Sequence, residues 1–144
     1  MAESLELRGE EHVLEVGSGS GYAAAVLGAL AARVTTVEIV PALAARARDN
    51  LRRTLRDGNV RVVDGDGSLG CAEDVRYDAI AVAAGAPDVP AALVEQLRDP
   101  GILVIPVGGF DDQELRVLTR RGGRTECRVA AFCRFVPLRG GAGW

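Results

Sequence analysis

The 144-residue chain holds 48% hydrophobic and 26% charged residues, with 20 acids against 17 bases. That balance fits one folded domain over residues 1–144 and argues against a nucleic-acid partner. All 17 bases are arginine, which excludes Schiff-base chemistry, a P-loop lysine and a tyrosine–lysine catalytic pair.

The opening stretch "MAESLELRGEEH" has no basic, apolar signal-peptide pattern. No later run approaches the roughly twenty apolar residues of a membrane helix, so a cytoplasmic protein without a membrane partner is expected. "HVLEV" (12–16) reads as a buried parallel strand, and "GYAAAVLGALAA" as a helix entered through a glycine-rich turn. "VTTVEIV" (34–40) is a second strand stopped by Pro41, which suits the first turn of the next helix. In that helix Leu43, Ala47, Leu51 and Leu55 fall on one face, predicted to meet a sheet. Arg46, Arg48, Arg52, Arg53 and Arg56 mostly take the other face, predicted to be solvated.

"NVRVVDGDGS" (59–68) is a strand running into an acidic glycine loop, and "YDAIAVAAGAP" (77–87) a strand running into a small-residue loop. "VPAALVEQLRDPG" (89–101) reads as a helix with a proline-glycine stop, and "ILVIPVG" (102–108) as a fifth strand. Two longer strands then meet at Gly122-Gly123, a hairpin signal. Alternating strand and helix followed by a hairpin predicts an α/β fold. Its Rossmann-like doubly wound sheet is mostly parallel with an antiparallel C-terminal hairpin, and ligand binds at the carboxyl ends of the early strands. His12 precedes the first strand and reads as a plain surface residue. Cys71, Cys127 and Cys133 lack a C-x-x-C spacing, so they read as reduced, buried thiols, and no metal site is expected.

Gly17, Gly19 and Gly21 form G-x-G-x-G, whereas the dinucleotide fingerprint places its third glycine where Tyr22 stands. A carboxylate accompanies the end of each early strand. Glu38 follows Gly17 by about twenty positions, the place from which an acid reaches both ribose hydroxyls. Asp66, between Gly65 and Gly67, suits an adenine amino group, with an Asp-Gly turn as the alternative. Glu15 sits among apolar residues, where a cationic ligand group is a natural partner for its charge. An acidic series repels a pyrophosphate and suits the ammonium and sulfonium of S-adenosylmethionine.

With "VLEVGSGSGYAAAVL", "VTTVEIVPALAARARDNL", "NVRVVDGDGSLG", "YDAIAVAAGAPDVPAALVEQLRDPG", "VIPVGG", "QEL" and "RFVPLRGGAGW" in order over almost the whole chain, the sequence resembles the protein-L-isoaspartate (D-aspartate) O-methyltransferase family. The resemblance implies a class I S-adenosylmethionine-dependent methyltransferase fold. It also implies S-adenosyl-L-methionine as cofactor, and damaged proteins or peptides bearing L-isoaspartyl or D-aspartyl carboxylates as partners. A monomer is expected.

By position, the resemblance assigns Glu15, Gly17, Ser18, Gly19, Gly21, Glu38, Asp66 and Gly67 to the cofactor. It assigns Ala84, Gly85, Ala86, Pro106, Val107 and Gly108 to the acceptor, and no residue as catalytic acid or base. An isoaspartyl carboxylate is already ionised at neutral pH, so its methylation asks for alignment more than for proton transfer. Family members carry a Thr-Ile-Ser-x-Pro-like segment before the first strand, and residues 1–144 contain no such motif. The resemblance therefore leaves open a peptide-tailoring aspartate methyltransferase and a cofactor-binding protein without catalysis.

Overall fold

A computed structural model describes residues 1–55, 58–72 and 75–144. Its centre is one seven-stranded sheet in the order β3-β2-β1-β4-β5-β6-β7. The first four strands are β1 (His12–Val16), β2 (Arg33–Glu38), β3 (Val60–Asp64) and β4 (Tyr77–Val82). They are followed by β5 (Leu97–Gly108), β6 (Gln113–Arg121) and β7 (Arg124–Cys133). Strands β1 to β5 pair in parallel, and β6 and β7 add antiparallel. Chain direction across the sheet reverses between β1 and β4, which creates a crevice at their carboxyl ends.

Helices α1 (Tyr22–Leu30) and α2 (Pro41–Thr54) connect the first three strands, and a short α3 (Ala91–Glu95) precedes β5. Each face of the sheet carries its own apolar layer. Leu14, Val16, Ile80, Leu103 and Ile105 pack with Leu93 of α3 on one side. Val13, Val34, Ala79, Ala81 and Val104 pack with Leu27 of α1 and Leu5 on the other. Burial on both faces explains why β1 and β4 read as continuous apolar runs. Gly122 and Gly123 have φ of 60° and 74°, the paired left-handed residues of a tight hairpin turn. Their N–H groups are received by the Asp99 carboxylate.

Several expectations are corrected. The helix read over 89–101 ends at Glu95, and the strand starts at Leu97 rather than at Ile102. Tyr77 pairs with Leu97 and Ala79 with Ile102, so residues 98–101 bulge within the strand. Strand β2 stops at Glu38, leaving Ile39 and Val40 outside the sheet. In α2 the buried residues are Ala44, Ala47 and Leu51, while Leu43 is 36% exposed. Arg46 and Arg53 are exposed, Arg52 pairs with Asp49, and Arg56 lies outside the described residues. Arg48 departs from the solvated face: it reaches across to pair with Asp64 of β3 and donates to Val62 O.

His12 is half-buried rather than a plain surface residue. Its Nε2 lies 3.1 Å from Thr35 Oγ1, and its ring meets Tyr77 edge-on with centroids 4.7 Å apart. Burial, with Arg33 and Arg98 nearby, holds its pKa below the ordinary histidine value. The three thiols are free, but only Cys71 is buried; Cys127 is exposed and Cys133 intermediate. No described helix is long and apolar enough to cross a membrane.

Candidate functional site: a cleft over the glycine loop

The loop after β1 uses the N–H groups of its three glycines internally. Gly17 N–H goes to Val37 O at 2.8 Å and Gly21 N–H to Ser18 O at 2.7 Å. Gly19 N–H goes to Glu38 Oε2 at 3.0 Å. Gly17 and Gly19 adopt φ of 93° and 51°, backbone that glycine reaches without strain. Gly21 has a packing role: a Cβ there lies 3.2 Å from Ala47 O and 3.3 Å from Leu51 Cγ, so its bareness lets α1 approach α2. A pyrophosphate cradle needs such N–H groups free, and here all three are spent.

Glu38 is 6% exposed. Besides Gly19 N–H, its Oε2 is 3.5 Å from the Ser18 hydroxyl, and its Oε1 accepts Val40 N–H at 3.0 Å. That last bond turns the chain out of β2 and carries Ile39 away from the sheet. A carboxylate offers about four acceptor positions; three donors approach Glu38, so Oε1 keeps one for a ligand hydroxyl.

Glu15 does not reach this surface. It is 1% exposed, and its partner is the Thr36 hydroxyl, which donates to Oε2 at 2.5 Å. Burial pushes its pKa up to about 7, against the Thr36 bond and with help from the negative charge of Glu38. The sequence argument expected a cationic ligand group as its partner; within the chain, the neighbouring strand supplies a hydroxyl. Asp66 is half-buried and caps the short 3-10 helix Gly67–Leu69 through Ser68. Partial burial raises its pKa, but hydrogen bonds from Ser68 and Gly141 outweigh that and hold it below the ordinary value.

A cleft of about 450 Å³ opens at the carboxyl ends of β1, β2 and β4, a size suited to a nucleoside-like ligand. Gly17, Gly19, Glu38, Gly67 and Ala84 line it, together with Val16, Val37 and Ala83. Glu15, Ser18, Gly21 and Asp66 are not among its lining residues. A Cβ on Gly67 would lie 2.6 Å from Val16 Cγ1, so this wall approaches β1 only because it is bare. The remaining wall comprises Ile39, Val40, Leu43, Val136, Pro137, Leu138 and Arg139, which the sequence reading did not assign to the site. The usable signal was Ile39-Val40 directly after the strand-ending acid, and the apolar "FVPL" after the hairpin. A larger groove of about 840 Å³ lies at the opposite end, around Asp78, Arg98 and Arg121. It is remote from the crevice between β1 and β4 where the strand order reverses, which is where α/β sheets hold their ligands.

The two small-residue loops expected to face the acceptor are joined to each other. Ala86 N–H goes to Pro106 O and Gly108 N–H to Ala86 O, both at 3.0 Å. Ala86 and Val107 are buried in the core. A Cβ on Gly85 would meet the Gln113 side chain at 2.4 Å. Ala84 is thus the one member of the six-residue acceptor set that lines the cleft; Gly85, Ala86, Pro106, Val107 and Gly108 form its support. Gln113, 2% exposed, locks that support. Its amide donates to Gly109 O and Phe135 O and accepts Phe135 N–H.

The family model for protein-L-isoaspartate(D-aspartate) O-methyltransferase matches residues 1–143. The chain belongs to this family. It is 51% identical to protein-L-isoaspartate O-methyltransferase 1 of Geotalea uraniireducens, with 100% of this chain and 66% of that protein covered. It is 47% identical to the protein-L-isoaspartate O-methyltransferase of Methanoculleus marisnigri, covering 65% of it. The chain thus spans just under two thirds of the length of these curated relatives. Among solved structures, a protein-L-isoaspartate O-methyltransferase superposes with TM-score 0.85 at 29% identity, over 97% of this chain and 45% of that one. A putative family member from Plasmodium falciparum, solved with S-adenosyl-L-homocysteine, superposes with TM-score 0.73 at 26% identity, over 96% of this chain and 72% of that one. The fold is that of the class I S-adenosylmethionine-dependent methyltransferases.

Proposed function

We propose that this chain is the donor-binding and transferring part of a protein-L-isoaspartate O-methyltransferase. It takes S-adenosyl-L-methionine as donor and esterifies L-isoaspartyl or D-aspartyl carboxylates in damaged proteins. The observation that carries the donor assignment is Glu38, a buried carboxylate on the wall of the cleft that keeps an acceptor position open. The spent N–H groups of Gly17, Gly19 and Gly21 favour a donor without phosphates. Family membership supports the acceptor class.

In this reading the open position on Glu38 Oε1 receives a ribose hydroxyl, and Gly17, Gly19 and Gly67 keep the floor open. Ser18 braces the loop through Gly21 and Glu38, Glu15 ties β1 to Thr36 of β2 just before it, and Asp66 and Gly67 face the base. Bound there, S-adenosylmethionine supplies an electrophilic methyl, whose passage to a carboxylate oxygen yields a methyl ester and S-adenosylhomocysteine. The acceptor is already anionic, so the chain needs no base. Ala84, with Gly85, Ala86, Pro106, Val107 and Gly108 behind it, shapes the acceptor side and supplies orientation. Three free thiols suit a reducing compartment, in keeping with a cytoplasmic enzyme, and we take it to act as a monomer.

The test is mass spectrometry of methyl transfer to an isoaspartyl peptide, its normal aspartyl counterpart and no acceptor. Esterification of the isoaspartyl peptide alone supports the proposal. Equal labelling of both peptides points to a tailoring enzyme, and donor binding without transfer leaves a cofactor-binding protein; either result overturns the repair reading.

A further inference from the structure

Segment 138–144 touches the loop after β3 and the two loops, after β4 and β5, that are already joined to each other. At its start, Leu138 N–H goes to Gly85 O at 2.7 Å. Midway, Gly141 N–H goes to Asp66 Oδ2 at 2.7 Å, and Ala142 N–H to the Ser68 hydroxyl at 3.0 Å. At Trp144, the backbone N–H returns to Leu138 O at 2.8 Å and the indole N–H reaches Gly85 O at 3.2 Å. The indole also lies against Phe110, centroids 4.5 Å apart. One short segment thus joins the loop after β3 to the loops after β4 and β5.

The approach is close enough to require glycine. A Cβ on Gly140, whose φ is 138°, would lie 2.0 Å from Asp66 Oδ1, and one on Gly143 2.2 Å from Leu138 O. The Asp66 carboxylate is mostly committed: Oδ1 takes two donors from Ser68, and Oδ2 takes Gly141 N–H. One acceptor position remains, on the oxygen that holds the segment. A base amino group at Asp66 would therefore share an oxygen with Gly141.

We propose that segment 138–144 is a strap that couples occupancy at Asp66 to the placement of the acceptor loops, with Trp144 as the positioning residue at its far end. The inference rests on the donor reading above. Coupling of this kind is reciprocal, so a strap that steadies Asp66 for the donor is itself steadied by it.

Trp144 is the sole tryptophan and is not a lining residue of the cleft, so its emission reports the strap rather than direct ligand contact. The experiment titrates the chain with S-adenosylhomocysteine while following binding heat, indole emission and acrylamide quenching. With the native sequence, quenching falls along the same isotherm as the heat. In Gly140→Ala, whose added methyl collides with Asp66, quenching starts higher and no longer responds, and affinity falls by about fivefold or more. Ser68→Ala, which removes the acceptor for Ala142 without adding an atom, serves if Gly140→Ala does not fold, and loses the response in the same way. Binding heat without any change in quenching overturns the strap and leaves the donor reading standing. Two folded variants that respond like the native chain also overturn it. Absence of binding heat in the native chain overturns the donor reading and the strap with it.

Discussion

Glu38 accepts the backbone N–H of Gly19 at 3.0 Å, so the carboxylate that ends β2 also fixes the loop that leaves β1. Removing it takes away a ligand acceptor and the clamp on the loop together. Hydrogen bonds to a charged group contribute about 1.5–3 kcal/mol. Glu38→Ala is expected to weaken S-adenosylhomocysteine binding by about ten- to a hundredfold, read by calorimetry on a variant shown to be folded. Unchanged affinity would remove the ribose assignment.

Glu15 makes a prediction about pH. Its folded pKa of about 7 lies above the ordinary 4.5, so the folded state holds the proton more tightly than the unfolded chain does. The stability from this group is complete below about pH 4.5 and is lost as pH rises towards 7. Glu15→Gln keeps an acceptor for Thr36 and never ionises. It should unfold at higher urea than the native chain at pH 8, by up to about 3 kcal/mol, and nearly level with it at pH 4.5. A constant difference at both values contradicts the assignment. Because Glu15 is buried and does not line the cleft, donor affinity should stay within about twofold, a change too small for a lost contact to a charged ligand group.

The parts of the fold set by periodicity were legible in the sequence: the parallel strands, the helices after β1 and β2, and the hairpin at Gly122-Gly123. Errors arose where tertiary contact overrode the local pattern. "LRDPG" carries a proline-glycine stop, yet Leu97 pairs with Tyr77 and draws the segment into β5. Leu43 fits the buried stripe of α2 by spacing, but it sits beside the cleft. Glu15, Glu38 and Asp66 stood out as acids near strand ends. Sequence spacing could not reveal that Glu15 is buried against the Thr36 hydroxyl. Nor could it reveal that Val136 to Arg139, remote in sequence, return to form a wall.

Gly67 offers a test of how the cleft is kept open. A methyl there would lie 2.6 Å from Val16 Cγ1. Gly67→Ala should therefore destabilise the chain by about 1–3 kcal/mol, the usual cost of overpacking. Shortening the opposing side chain makes room, so Gly67→Ala combined with Val16→Ala should be less destabilised than the two single changes summed. Strict additivity in a urea-unfolding cycle would mean that the two residues do not press on each other.

The last prediction concerns ligand choice. Gly17, Gly19 and Gly21 resemble a nucleotide-binding turn, but their N–H groups go to Val37 O, Glu38 Oε2 and Ser18 O. A pyrophosphate arriving there would meet a buried carboxylate instead of free donors, and breaking the Gly19 bond to admit it would leave Glu38 short of a partner. A neutral ribose with a zwitterionic amino-acid tail and no phosphate meets neither cost. NAD and ADP are therefore expected to displace S-adenosylhomocysteine at least about tenfold less well, taking the loss of one charge-assisted hydrogen bond at the low end of its range. Competition calorimetry with equal concentrations of the three ligands measures this directly. Comparable displacement by NAD would show that the glycine loop can release its donors to phosphate, and the argument from their internal use would fail.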